Sequence, residues 1–296
     1  MLVLLGWLIA QPAQAESAKA DDAMVRLFAP SAISGAPALV EGSVAIGVAP
    51  PGSLVRLDGK AIPIDGQGRF LIGFGFGAPS ERILMVTTPD GSQNTRTLAV
   101  EARSYQVQRI DNLASSMVTP APDLLHRIRL EAEQVRMART RSSSLSNWQT
   151  AFQWPVKALV TGVFGTKRIL NGQPRSPHYG YDLAASTGTP IYAPAGGRVL
   201  LVEDLYFSGL TLLLDHGAGL ISAFLHLHDV AVSVHDVVRY GQVIGFVGNT
   251  GRSTGAHLDW RVSWFDQRVD AALLIDRKPV LPGARVAPRI MLDRDS

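Results

Sequence analysis

The chain has 296 residues, 46% apolar and 18% charged, which is typical of folded proteins and long enough for about two domains. Lys and Arg total 28 against 25 Asp and Glu, and the net charge of +3 gives no dense basic surface, so nucleic-acid binding is not expected. Cysteine is absent, which excludes disulfides, thiol nucleophiles and cysteine zinc sites.

The first 15 residues are predicted to be a cleaved export signal. An apolar run over residues 2–10 precedes Ala13-Gln14-Ala15, which matches a small-x-small cleavage site. A run of this length cannot cross a bilayer, which needs about 20 residues. We therefore expect an exported, periplasmic protein without a transmembrane segment, with a linker over residues 16–24.

Residues 25–104 have the pattern of a small β-sandwich-like module. Apolar residues alternate with smaller ones at Val44, Ile46 and Val48. Turn dipeptides at 58–59, 65–66 and 90–91 separate apolar stretches, as expected for short antiparallel strands. The module contains no cluster of His, Asp or Glu, so its simplest interpretation is a targeting or spacer role.

Residues 105–153 are interpreted as a linker that contains an arginine-rich helix over about 123–141. Asp123 is placed to begin this helix. Its apolar residues recur at helical spacing: Leu125, Ile128, Ala132, Val135 and Ala138. Its arginines are Arg127, Arg129, Arg136, Arg139 and Arg141. A solvated basic face is the simpler interpretation, and contact with an anionic envelope polymer is the alternative.

The pattern is β again over residues 154–286, which a tail of residues 287–296 follows. Frequent glycines alternate with short apolar runs such as 210–214 and 243–247. This pattern predicts a compact antiparallel sheet or barrel. The expected fold is thus mainly β, with an N-terminal sandwich-like module, a linker helix and a C-terminal domain with a β-sheet core.

Six of the seven histidines lie between residues 178 and 257, and histidine is both a common metal ligand and a general acid or base. Three pairs could contribute to one site: His178 with Asp182, His226 with His228, and His257 with Asp259. Spacing alone does not choose among them. His216 is interpreted as a structural turn residue, and His126 and His235 as surface residues.

Three segments in order give the chain a resemblance to the lysostaphin-type zinc peptidases. They are His178-Tyr-Gly-Tyr-Asp182 with the following residues to 199, residues 214–227, which end in His226-Leu227, and residues 240–258, which end in Ala256-His257-Leu258. The resemblance extends over roughly residues 154–275. The N-terminal module and the arginine-rich helix lie outside it.

The resemblance implies a β-sheet core with a zinc site in a groove, and cleavage of peptide bonds in bacterial cell-wall peptidoglycan. It implies that His178 and Asp182 are zinc ligands and that His226 and His257 are the catalytic histidines. His228 then falls outside the pattern and is expected to be a neighbour rather than a ligand.

One position departs from the pattern. The family usually ends in His-x-His with the last histidine on zinc, and this chain has Asp259 there. A carboxylate can bind zinc, but more ligand charge should weaken the ion as a Lewis acid. The alternative is that Asp259 pairs with Arg261 or another cation and no metal binds.

These features predict a zinc-dependent endopeptidase that acts on peptidoglycan. Two alternatives remain: an inactive regulator that activates a separate wall amidase, and a wall-binding module without catalysis. Peptidoglycan is the expected partner, with an amidase or another envelope protein as a further one.

Five residues are candidates for substrate binding. Tyr181 and Tyr206 could line the groove, with core packing as the alternative. Arg168 and Arg175 could pair with carboxylates of the stem peptide, with solvated loop charge as the alternative. Trp260 is interpreted in the same way as the tyrosines.

Overall fold

The computed structural model describes residues 26–28, 39–111 and 121–275. The predicted export signal, the linker over residues 16–24 and the tail over 287–296 lie outside these ranges. The described residues are mainly β, as expected, with a helix α1 over Leu125–Arg139 and short 3-10 turns at Pro122–Leu124, Asn147–Gln149 and Ala271–Leu274. No helix in the described ranges is long and apolar enough to cross a membrane.

Two small sheets form the N-terminal module. Its strands are β1 (Arg26–Phe28), β2 (Val44–Val48), β3 (Leu54–Leu57), β4 (Lys60–Ile62), β5 (Arg69–Gly73), β6 (Glu81–Thr87) and β7 (Gln93–Ala99). One sheet has the order β1-β2-β5 and the other β4-β3-β6-β7, and all pairs are antiparallel. Alternate residues of β3 and β6 are buried, the period-2 pattern of a strand with one face in a core.

The segment interpreted as a linker contributes a strand. β8 (Val107–Ile110) pairs in parallel with β10 (Lys167–Leu170), which forms a hairpin with β11 (Gln173–Arg175). The helix begins after Asp123, whose side chain lies in the preceding 3-10 turn, and no side-chain hydrogen bond caps α1. The helical segment thus starts at Asp123's turn, as expected, and α1 itself begins two residues later, at Leu125.

A ten-stranded sheet forms the C-terminal part. Its strands are β9 (Leu159–Gly162), β12 (Gly180–Ala184), β13 (Pro190–Tyr192), β14 (Gly197–Leu205), β15 (Gly209–Gly217), β16 (Leu220–Val230), β17 (Val237–Val238), β18 (Val243–Val247), β19 (Leu258–Trp264) and β20 (Gln267–Val269). The main path is β17-β14-β15-β16-β19-β12-β9. β20 adds to β19, and β18 pairs with both β13 and β16.

One hydrophobic core runs through both parts of the molecule, from Phe70 to Trp260. The module packs directly against the large sheet. At Gly73 the contact is so close that a Cβ would lie 2.7 Å from the Trp264 ring. A partly buried ion pair, Arg103 Nη1 to Asp270 Oδ2 at 2.8 Å, joins the segment after β7 to the turn after β20. The module therefore supports the sheet that carries the histidines.

Helix α1 packs on one face of the large sheet through a second, smaller core. Val135 and Ala138 contact this cluster, whose sheet residues are Leu201, Leu213, Ile221, Ala223 and Leu225. The helix is therefore not a free linker. Arg127 and Arg136 pair with glutamates of the same helix, but Arg139 is only partly exposed, so a fully solvated basic face was wrong for this residue.

Candidate metal centre

Neighbouring strands bring three donor groups together. Asp182 of β12 lies directly opposite Asp259 of β19 in the antiparallel register, and His178 precedes β12. One ligand atom from each of His178, Asp182 and Asp259 lies within 4.8 Å of the other two. Imidazole nitrogen and carboxylate oxygen are both zinc donors, and three protein ligands with an open position are typical of catalytic zinc.

The imidazole of His178 is suited to a metal ion. The residue is 2% exposed, and neither ring nitrogen has a hydrogen-bond partner among the described residues. Its Nε2 lies 3.2 Å from Asp182 Oδ1, beside a carboxylate that would share the ion. Because buried polar atoms nearly always have partners, this orphaned ring fits a bound cation.

Besides facing the other two candidate ligands, Asp259 forms an ion pair with Arg261. Arg261 Nε lies 3.0 Å from both carboxylate oxygens, and Nη2 lies 2.5 Å from Oδ2. Burial alone would raise the pKa of Asp259, but the charges of Arg261 and His178 outweigh it and hold this pKa well below its usual range. Asp259 is therefore an anion at neutral pH, as a ligand must be.

Two glycines make room for the carboxylates. A Cβ on Gly180 would lie 2.5 Å from Asp259 Oδ1 and 2.6 Å from Arg261 Cγ. A Cβ on Gly162 would lie 2.2 Å from Asp182 Oδ2. Contacts this short would displace the side chains, so glycine at both positions lets the strands β9, β12 and β19 carry the acidic pair between them.

His226 reaches the site through an irregularity in β16. The register between β15 and β16 shifts near this residue, and the backbone of His226 has φ of 64°, which is uncommon for a residue other than glycine. Bulges of this kind redirect a side chain. His226 is 6% exposed, whereas His228, which also lies in β16, is exposed.

Thr250 fixes the tautomer of His226. The Nδ1 atom lies 2.8 Å from the Thr250 carbonyl, and because a carbonyl only accepts, Nδ1 carries the proton and Nε2 has a free lone pair. The Thr250 hydroxyl donates in turn to the Leu227 carbonyl at 2.8 Å. Burial lowers the pKa of His226, although the Thr250 contact opposes this shift.

His257 has the same arrangement. Its Nδ1 lies 2.8 Å from the Gly255 carbonyl and 3.2 Å from Ser253 Oγ. Its Nε2 lies 3.7 Å from Asp182 Oδ1. The rings of His226 and His257 are 4.9 Å apart between centroids, so two imidazoles with anchored Nδ1 atoms lie beside the three candidate ligands.

The predicted substrate residues differ in their positions. Arg168 lines the cavity, and its Nη2 lies 3.7 Å from Asp182 Oδ2. Arg175 is opposite Arg168 in the β10–β11 hairpin and donates to Gln173. Tyr206 packs edge-on against Phe207. Phe207 lines the cavity, and Tyr206 does not.

Tyr181 is not placed to bind substrate. It is 2% exposed and packs edge-on against Trp154, as does the fully buried Trp260. The physical reason is the strand period of two: because Asp182 faces the site, its neighbour Tyr181 faces the core. Trp260 is likewise next to Asp259.

Sequence reasoning missed two kinds of residue near this site. Thr250 and Ser253, which hold the histidines, lie in a glycine-rich loop and carry no spacing signal. Arg268, which lines the cavity, lies outside every motif. Arg139 also lines it, and the sequence placed this residue only in an arginine-rich helix. Their roles depend on tertiary packing alone.

His216 is structural, as expected, but it lies in β15 rather than in a turn. It is fully buried, with Nδ1 2.7 Å from the Gly196 carbonyl and Nε2 2.8 Å from Ser222 Oγ. Its ring packs against Phe152 at 4.7 Å between centroids. His126 and His235 are exposed, as expected.

Burial of His216 should make the protein acid-sensitive. Burial lowers the pKa of His216 from its ordinary 6.5 to about 4, so the unfolded chain binds a proton that the folded chain does not between these values. The free energy of unfolding should therefore fall as the pH drops from about 6.5 towards 4, by up to about 1.4 kcal/mol per pH unit from this group. Urea unfolding at pH 7, 6 and 5 measures the slope. A slope in His216→Asn equal to that of the wild type would contradict this origin.

Comparison with known proteins identifies the class. The profile of peptidase family M23 matches residues 176–271. The crystal structure of a putative peptidase M23 from Pseudomonas aeruginosa superposes with a TM-score of 0.63 at 31% identity and covers 80% of this chain and 95% of that one. The chain belongs to peptidase family M23.

Two curated relatives are similar over the same region. Peptidoglycan DD-endopeptidase ShyA of Vibrio cholerae is 36% identical over 118 residues, 38% of this chain and 27% of that protein. Murein hydrolase activator EnvC of Escherichia coli is 36% identical over 121 residues, 41% of this chain and 27% of that protein. The chain thus spans less than a third of the length of these two relatives.

Proposed function

We propose that this protein is a zinc-dependent endopeptidase that hydrolyses peptide bonds in bacterial peptidoglycan, within cross-links or stem peptides. The observation that carries the proposal is the grouping of His178, Asp182 and Asp259 donors within 4.8 Å, beside the two histidines anchored through Nδ1. The family supplies the reaction class, and the peptidoglycan endopeptidase among its relatives supplies the substrate class.

The charge of the site supports a zinc ion in spite of Asp259. A His-Asp-His ligand set has a charge of −1, and replacing one histidine by aspartate makes it −2. Arg261, within hydrogen-bond distance of both Asp259 oxygens, returns the sum to −1. A zinc ion held by His178, Asp182 and Asp259 would polarise the scissile carbonyl and make a water molecule more acidic.

The histidines would handle the protons. At neutral pH, His226 is a neutral imidazole because burial lowers its pKa, and its Nε2 lone pair can take the proton of the attacking water. The same proton can then pass to the nitrogen of the departing amine. His257, whose Nδ1 is held by Gly255, would orient the carbonyl oxygen or the water from the other side.

A non-enzymatic regulator is the second candidate. Two observations favour it: the similarity to the activator EnvC and the pairing of Asp259 with Arg261. In that case the chain would bind the wall and activate a separate amidase, and the ion pair would replace the metal. The two candidates differ in zinc binding and in released products.

We also infer that the protein acts in the periplasm after removal of residues 1–15, since its proposed substrate lies outside the cytoplasm. The peptidase unit would extend over residues 154–286, and the β module over residues 25–104 would position it on the wall. Fractionation of cells that produce a C-terminally tagged chain, with periplasmic and cytoplasmic marker enzymes, tests the location.

Digestion of isolated sacculi tests the enzymatic function. The zinc-loaded full chain should release new muropeptides whose masses, read by mass spectrometry, identify the cleaved bond. A chelator or His178→Ala should abolish the release, and added zinc should restore activity to the chelated wild type but not to the variant.

The regulator makes the opposite prediction. The zinc-loaded chain would then release no muropeptides by itself, yet it would increase the release of stem peptides by a purified wall amidase. This result would rule out the proposed endopeptidase and support the regulator. His228→Gln is a matched control for the histidine variants, because His228 is exposed and lies two residues from His226.

A further inference from the structure

The cavity beside the candidate metal centre has an excess of positive charge. It has a volume of about 1150 Å³ and lies between α1 and the large sheet. Five arginines line it: Arg139, Arg168, Arg252, Arg261 and Arg268. The acidic residues that line it are Glu131, Asp182 and Asp259.

Other groups already engage the three acids. Asp259 pairs with Arg261, and Arg168 Nη2 lies 3.7 Å from Asp182. Glu131 accepts from Arg127 Nε at 2.5 Å and from the backbone N–H of residue 206 at 2.8 Å. The acidic residues of the cavity therefore pair with groups other than Arg139 and Arg268.

Arg139 and Arg268 have no acidic partner within the described ranges. The Nε atom of Arg139 is buried without a hydrogen-bond partner there. The guanidinium of Arg268 lies 5.6 Å from the centre of the Tyr179 ring, a cation–π contact that leaves its N–H groups available. Both side chains keep partial exposure, so a ligand in the cavity can reach them.

The strand register places Arg268 next to Arg261. Arg268 of β20 lies opposite Ser263 of β19, and Arg261 is two residues from Ser263 on the same strand face. Tyr179, on which Arg268 stacks, directly follows the candidate ligand His178. The cationic group is thus close to the site of the proposed reaction.

The electrostatics of Arg139 and Arg268 favours the binding of an anion between them. Burial, with the charges of Arg268 and Arg261 added to it, lowers the pKa of Arg139 to about 8. Burial and Arg261 lower the pKa of Arg268 to about 10. Both groups remain charged at neutral pH. The charge of Asp259 acts on Arg268, but Asp259 is already paired with Arg261, so these two partly buried like charges are costly in a folded protein.

We propose that Arg139 and Arg268 form an anion-binding subsite that takes a free carboxylate of the substrate peptide. This inference rests on the proposed function and names which feature of the substrate the cavity selects. The planar guanidinium fork matches a carboxylate in two parallel hydrogen bonds. Because Arg139 ends α1, this helix contributes to substrate recognition.

Titration calorimetry on the zinc-free full chain tests the subsite without turnover. The probes are acetyl-D-alanyl-D-alanine and its C-terminal amide, which differ in the charge of one group. The free acid should bind at least tenfold more tightly than the amide. Arg139→Gln and Arg268→Gln should each weaken binding of the acid at least tenfold and leave binding of the amide unchanged.

Arg129→Gln is the matched control, since Arg129 is exposed on the same helix and does not line the cavity. It should bind the acid like the wild type. The thermal midpoint gives a second readout: the acid should raise it in the wild type but not in Arg268→Gln. Without ligand, both cavity variants should melt at or above the wild-type temperature, because one of two like charges is gone.

Equal affinity for acid and amide would overturn the proposal, as would cavity variants that bind the acid like Arg129→Gln. Inorganic phosphate is a third probe. If it binds more tightly than the acid and the acid does not displace it, the subsite takes phosphate and the carboxylate assignment is wrong. Because these titrations need neither zinc nor hydrolysis, their failure is distinct from a failure of sacculus digestion.

Discussion

Replacing His226 by glutamine should reduce turnover on peptidoglycan by about 10²–10⁴-fold, the usual contribution of a general base, while zinc binding stays within twofold of the wild type. The reason is the position of His226, whose Nδ1 is held by Thr250 and which lies outside the group of three donors. His178→Ala should instead weaken zinc binding at least about 100-fold, beyond the 10–100-fold typical for loss of an outer partner.

Competition with a chromophoric chelator measures the zinc affinity, and chromatography of released muropeptides measures turnover. His228→Gln should change neither, since His228 is exposed. Equal loss of zinc in His226→Gln and His178→Ala would show that the assigned roles are wrong. So would a His178→Ala variant with wild-type zinc affinity.

Replacing Arg261 by glutamine should have two opposite effects. In the zinc-free protein it leaves the carboxylate of Asp259, 2% exposed, without its partner, and such losses cost about 3–5 kcal/mol. The thermal midpoint should fall by about 2–4 °C for each kcal/mol. Zinc should bind at least tenfold more tightly, because a positive charge beside the ion has been removed.

Arg82→Gln is the control for stability. Arg82 pairs with Asp58 in the N-terminal module, so its loss should lower the thermal midpoint without changing zinc affinity. An Arg261→Gln protein that binds zinc more weakly than the wild type would contradict the charge balance we describe.

A double-mutant cycle separates the two charges of this pair. Asp259→His alone should bind zinc more weakly than the wild type, because Arg261 then has no carboxylate to offset its charge. Asp259→His with Arg261→Gln should recover the affinity. Additive effects on zinc affinity in the cycle would mean that Arg261 acts on the site independently of Asp259, which would contradict the pairing we describe.

Much of this organisation could be predicted from the sequence. Period-2 alternation at Val44, Ile46 and Val48 and the turn dipeptides predict the strands of the module, because a strand with one buried face must alternate. The spacing of the apolar residues in α1 predicts a helix for a similar reason. Three ordered motifs identify the family more specifically than any single pair of metal-binding residues.

The positions of the side chains required the structure. His226 and His228 have the spacing of two residues on one strand face, yet only His226 is buried, because β16 is irregular there. Tyr181 is adjacent to Asp182 and for that reason faces the core. The difference between His226 and His228 depends on local register, which spacing does not encode, whereas the burial of Tyr181 follows from strand alternation once Asp182 is assigned to the site.

Contacts between residues far apart in the sequence could not be predicted from it either. The contact between α1 and the sheet, which brings Arg139 to the cavity, joins residues about 60 or more positions apart in sequence. Arg261 was foreseen only as a competitor for Asp259. Its contacts with both oxygens of Asp259, together with the orphaned ring of His178, support the role we propose for it, which is to balance charge beside a metal.

An anomalous difference map at the zinc edge, from crystals of the zinc-loaded full chain, tests the central claim most directly. We predict one strong peak about 2.0–2.2 Å from a ring nitrogen of His178 and from one oxygen each of Asp182 and Asp259, with Arg261 still bound to the other oxygen of Asp259. A peak coordinated by His226 and His257 instead, or no peak at the three donors with the Asp259–Arg261 pair intact, would contradict it.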